Sequence, residues 1–254
     1  MSDFSQIMAF WRAGRRPQAE AALAALLARD PDDLDGLRFL AELSRHNDRD
    51  WFNANKDRYE RHIVAPALDF IEAMHAPLRR ISRHFTAIPK RVGGSLMRIH
   101  RDVRFSRDKR PYKTNVGIHF RHEAGKDVHA PGFYFHIGLD ECFLAAGIWH
   151  PDGPALARIR ECIVEAPAAW QKATRGRAFT KCFTLSGEAV KRVPRGVSAD
   201  HACVEDLKRK DFIGVMQFEP GLLYEPDIVA FTAGAFAKAT PLVDFLCASQ
   251  ELPF

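Results

Sequence analysis

The chain has 254 residues, 46% of them hydrophobic and 27% charged, enough for one sizeable core and inconsistent with wholesale disorder. Its formal net charge of +5 is too mild at this length to point to a polyanionic partner unaided. Five widely spaced cysteines (Cys142, Cys162, Cys182, Cys203, Cys247) include no CxxC pair. They indicate reduced thiols in a cytoplasmic protein and exclude a disulfide framework or a zinc site of that type.

Residues 1–35 read as a short helical appendage. Gln18 to Ala28 is Ala/Leu-rich and stops before Asp30-Pro31, a pattern similar to one tetratricopeptide unit. A lone unit cannot bury its face, so the appendage is expected to pack on the main domain or to serve self-association. Arg15-Arg16 reads as part of a helix and not as an export signal, because Glu20 interrupts the apolar stretch. No run approaches the roughly 18 apolar residues of a membrane span, so no membrane partner is expected.

Residues 36–254 read as a single α+β domain. Leu37, Leu40 and Leu43 share a helical face. Asp48 suits an N-cap for a second helix carrying Trp51, Phe52, Asn55 and Tyr59, and Leu68, Ile71, Met74, Leu78 and Ile81 continue in a third. The period then changes to two. Leu96 to Phe105 alternates Met97, Ile99, Val103 and Phe105 against Arg98, His100, Asp102 and Arg104. Thr114 to Arg121, Phe133 to Ile137 and Cys142 to Trp149 complete an antiparallel meander of about four strands. Beyond Pro151 come helices at Pro154 to Glu165 and Ala168 to Thr174, a strand at Phe179 to Leu185, and a helix near Val204 to Lys210. A strand at Phe212 to Phe218 and a C-terminal helical pair broken at Pro241 finish the chain.

The sharpest feature is a basic hairpin. Lys90 to Lys113 holds nine Lys or Arg against two acids, a local net of +7 that leaves −2 for the rest of the chain. Arg98 and Arg104 fall on one polar face, about 20 Å apart along an extended strand, with Asp102 between them. Arg101 falls on the apolar side, where a guanidinium must be paired or reach a cleft. Crowded cations repel one another, and a bound anion is the simplest neutraliser. Arg supplies forked donors and Lys a point charge. A solvated charged hairpin, and a salt-bridge network through Asp102 and Asp108, are the competing readings.

WFNANKDRY (Trp51 to Tyr59), GGSLMRIHRDVRFSRDKRPYKT (Gly93 to Thr114), PGFYFHI (Pro131 to Ile137), AGIWHP (Ala146 to Pro151) and EDLKRKDF (Glu205 to Phe212) resemble domain-of-unknown-function family 2461, bacterial and fungal proteins without an assigned activity. The resemblance covers about residues 37–250. His100 stands where that family typically has Tyr. The resemblance implies one candidate site made of Asn55, Lys56, Arg98, Arg101, Asp102, Arg104, Lys109, Tyr112, Lys113, His136, Trp149 and Lys208.

The resulting expectation is an anion- or phosphate-binding protein, with an enzyme acting on a phosphorylated small molecule or nucleotide as the leading reading. Anion contacts are assigned to Arg98, Arg101, Arg104, Lys109, Tyr112, Lys113, Asn55 and Lys56, and acid–base roles to Asp102 and His136. No cofactor or metal is expected, although His100, His119 and His136 with Asp102 form a conceivable metal set. A non-catalytic nucleic-acid-binding module, with Phe105 and Tyr112 stacking on bases, and an interaction protein with an architectural hairpin are the alternatives.

Overall fold

The computed structural model describes residues 35–125 and 129–254 and, further upstream, only Arg15, Pro17, Gln18 and Ala21. The appendage assigned to residues 1–35 therefore lies outside the described residues, apart from its last position and those four. Helix α1 (Asp35–Arg45) buries Leu37, Phe39, Leu40 and Leu43. Asp48 caps α2 (Arg49–Ala54), its carboxylate accepting from the Trp51 N–H at 2.9 Å. A short α3 (Lys56–Tyr59) and one wide π turn (Glu60–Val64) lead into α4 (Ala65–Ile81), which buries Ile71, Met74 and Leu78.

Strands β1 (Asn115–Arg121), β2 (Gly132–Gly138) and β3 (Cys142–Ile148) form the expected meander. Helices α5 (Gly153–Glu165), α6 (Pro167–Arg175) and α7 (Arg177–Thr180) follow, then β4 (Thr184–Ser186), α8 (Val204–Leu207), β5 (Phe212–Gln217) and α9 (Ile228–Ser249). The five strands pair antiparallel in the order β1-β2-β3-β5-β4. The fold is thus α+β. Period-two alternation sends Val116, Ile118, Phe120, Phe133, Phe135, Leu144 and Ile148 to one face, where α4 and α9 close the core.

Three local expectations give way to tertiary demands. The strand expected at Phe179 to Leu185 begins only at Thr184, because Phe179 lies in α7 and Phe183 just after the turn that follows it. The turn stacks their rings at 5.5 Å and buries both, with Phe179 over Gly214. Pro241 does not break α9, because the residues around it (Ala239, Leu242, Val243, Leu246) are fully buried. Their burial outweighs the roughly 3 kcal/mol cost of an internal proline. By length and composition α9 is also apolar enough to cross a membrane, yet one side of it is the core of this domain. Finally, Leu96 to Phe105 is not a strand. It meets β1 through a bridge between Leu96 and Ile118 and its own return limb through a bridge between His100 and Tyr112. Pairing then ends because two aspartates turn the backbone locally. Asp102 accepts from the Arg104 N–H at 3.2 Å, and Asp108 from the Arg110 N–H at 3.1 Å.

A buried carboxylate fastens the far end of the sheet. Asp211 accepts from the His150 N–H at 2.8 Å and the Glu188 N–H at 2.9 Å, and its Oδ1 lies 3.1 Å from the His150 ring. His150 holds a left-handed φ of 47° there.

Candidate functional site

The sheet face turned away from the helices floors a cleft of about 590 Å³. Alternation places Gly117 and His119 of β1, Gly132, Tyr134 and His136 of β2, and Phe143, Ala145 and Gly147 of β3 on this face. Ile213 of β5 joins them. Small residues are essential to the floor. The Tyr134 ring leans over Gly117, where an added Cβ would stand 2.5 Å from its hydroxyl, and the His119 imidazole occupies the corresponding space over Gly132. Because His119 and Tyr134 are directly opposite, each ring reaches diagonally across to the glycine beside the other. Gly147, at φ 132°, has no room for a side chain against the Phe212 carbonyl.

The hairpin forms one wall, contributing Met97, Arg101, Asp102 and Lys113, and Trp149 stands half-exposed at the cleft. Backbone hydrogen bonds hold the wall in place. The Met97 N–H donates to the Gly117 carbonyl at 2.9 Å, Lys113 N–H to Ile99 at 2.8 Å, and Arg101 N–H to Pro111 at 2.8 Å. Asn47 grips the return limb at two points, accepting from the Tyr112 N–H and donating to the Tyr112 carbonyl, each at 3.0 Å.

Internal pairing takes up much of the hairpin charge. Arg101 binds Asp108 at 2.7 Å and the Arg110 carbonyl at 3.1 Å, and Arg110 also binds Asp108 at 2.7 Å. Arg104 chelates Asp102 at 2.9 and 2.7 Å, Lys109 donates to the Val103 carbonyl at 3.0 Å, and Arg91 pairs with Glu60. Among the described residues no carboxylate forms a salt bridge with Arg98, Arg107 or Lys113. Lys113 is half-buried, and its ammonium is held below the usual lysine range, first by burial and then by the Arg98 guanidinium.

The proposed acid–base residues have opposite environments. Hydrogen bonds from Arg104 hold Asp102 down at about 2, so it is ionised at neutral pH and weakly basic. Burial lowers His136 to about 4, and burial raises Tyr134 to about 12. Both are therefore uncharged at neutral pH, with the Tyr134 hydroxyl 3.1 Å from His136 Nδ1. The His136 ring also stacks on Phe143 at 4.5 Å with 10° between planes.

The twelve residues grouped by sequence therefore separate. Arg101, Asp102, Lys113, His136 and Trp149 line the cleft. Arg98 lies beside Lys113 and Asp102 electrostatically. Arg104 and Lys109 are exposed on the hairpin. Tyr112 is 5% exposed and stacks on Phe52 at 4.1 Å, so its ring belongs to the core. Asn55 joins the turns of α2 and α3, donating to the Trp51 carbonyl at 2.9 Å and accepting from Arg58 at 3.0 Å. Lys56 is exposed and neither residue lines the cleft. Lys208 pairs with Glu205 at 2.6 Å. His100 packs near Tyr112 and does not join His119 and His136. No three His, Cys, Asp or Glu among the described residues converge as metal ligands do.

Sequence reading missed Tyr134, Gly117, Gly132 and Asn47. The i, i+2 spacing of Gly117 with His119 and of Gly132 with Tyr134 carried a usable signal for the first three. No curated protein and no solved structure matches the chain. Residues 35–245 match the conserved hypothetical protein family DUF2461, and the chain belongs to that family.

Proposed function

We propose that the cleft binds a phosphorylated small molecule or nucleotide, with Lys113 and Arg101 taking the anion and the aromatic floor taking the body of the ligand. The observation that carries this reading is Lys113. A half-buried ammonium beside a guanidinium, with no carboxylate partner among the described residues, is stabilised by an incoming anion. The floor of Tyr134, His136 and Phe143, with Trp149 alongside, offers flat apolar surface next to that charge, as small-ligand sites commonly do. Free thiols at all five cysteines accord with a reducing, cytoplasmic setting.

Titration calorimetry with inorganic phosphate, pyrophosphate and nucleoside mono- and triphosphates tests the reading. Binding by the wild type and a loss of about tenfold or more in Lys113→Ala are expected, the size of one charge-assisted hydrogen bond. The reading fails if no compound binds, or if Lys113→Ala binds as the wild type does. Turnover is the second reading, with the His136 imidazole that lines the cleft, 3.1 Å from the Tyr134 hydroxyl, as its acid–base candidate. Phosphate release from the same compounds, abolished in His136→Gln, would support it.

A further inference from the structure

Beyond the cleft, we propose that the tip of the basic hairpin is a separate contact for single-stranded nucleic acid, with Phe105 stacking on a base and the surrounding cations holding the backbone. This surface does not depend on the cleft reading.

Three observations converge on it. Phe105 is 95% exposed, a large aromatic with its faces left to solvent. The Arg104 guanidinium lies over its ring, 5.8 Å from the centroid, so a planar cation and a planar ring are presented together, and either can stack on a base. Outside the cleft residues, the tip at residues 104–110 carries four cations against one acid. Arg107 among them is exposed and has no carboxylate partner among the described residues. Arg104 and Arg110 keep donors directed at Asp102 and Asp108, which fixes the loop and leaves the net charge positive.

The chemistry favours a single strand over other polyanions. A bilayer rewards several apolar side chains, whereas this tip presents one. Three of its four cations are arginines, whose forks suit phosphodiesters and whose planes suit stacking. In a duplex the base faces are already covered, and inserting Phe105 there would first require unstacking. A single strand exposes faces and phosphates together.

Fluorescence anisotropy with labelled single-stranded DNA and RNA of about 12 nucleotides, and with the matching duplex, tests the proposal. Phosphatidylcholine–phosphatidylserine vesicles serve as the competing surface. Single strands should bind more tightly than the duplex, with affinity falling about fifty-fold between ~50 and ~200 mM salt if four phosphates are engaged. Phe105→Ala should weaken single-strand binding about tenfold while barely affecting the duplex, and Arg107→Ala should reduce the salt slope. Lys113→Ala, which removes binding in the cleft, should leave the Phe105 dependence intact, so the two sites fail or stand separately. The proposal is overturned by no binding at ~50 mM salt, by a Phe105→Ala variant that binds single strands unchanged, or by binding to vesicles in place of oligonucleotides.

Discussion

The Tyr134 hydroxyl occupies the space that a Cβ on Gly117 would need, and from that position it meets Nδ1 of His136 at 3.1 Å. One missing side chain on β1 therefore sets the position of a hydroxyl on β2, and through it the orientation of the imidazole beside it. The floor of the cleft is a coupled unit and not a set of independent rings.

Gly117→Ala should destabilise the protein by about 1–3 kcal/mol, since the new methyl meets Tyr134 and Met97 within a packed layer. Removing the hydroxyl relieves the tightest contact. The double variant Gly117→Ala/Tyr134→Phe should therefore lose less stability than the two single changes together. Denaturant unfolding of all four proteins measures this coupling, and strict additivity would contradict the geometry.

His136 imposes a pH dependence whose sign follows from its lowered pKa. The unfolded chain takes up a proton near 6.5, whereas the folded protein resists until about 4. Stability is unaffected by this group above pH 6.5 and falls as pH drops toward 4, by about 3 kcal/mol in all. His136→Gln removes the titrating ring and keeps an acceptor for Tyr134. Its stability curve should be flatter than the wild type's over that window, and parallel curves would count against the assignment.

Asn47 is the clasp between the α1–α2 connection and the hairpin. Asn47→Ala deletes two hydrogen bonds to the Tyr112 backbone and should cost about 1–3 kcal/mol. Hydrogen exchange at the Tyr112 amide should accelerate more than exchange at β2 amides. A uniform change across the sheet would show that Asn47 contributes to global stability without holding the hairpin specifically.

Local signals were strong enough to reveal much of this. The helical stripe of Leu37, Leu40 and Leu43, the Asp48 cap and the alternation in β1 all survive folding, because each buries its apolar face or satisfies its end groups without help from distant residues. The charge excess of Lys90 to Lys113 was equally plain from composition. Arg101, on the apolar side of the alternation, does indeed both pair and reach a cleft.

What the sequence alone determined is which residues seek burial and where positive charge collects. Only the tertiary structure decided which cations keep a surplus. It paired Arg101, Arg104 and Arg110 with carboxylates, drew Tyr112 into the core against Phe52, and left Lys113 facing the cleft. The physical reason is range: hydrophobic periodicity is set by neighbours along the chain, whereas the state of a charge depends on every group that folding brings within a few ångströms.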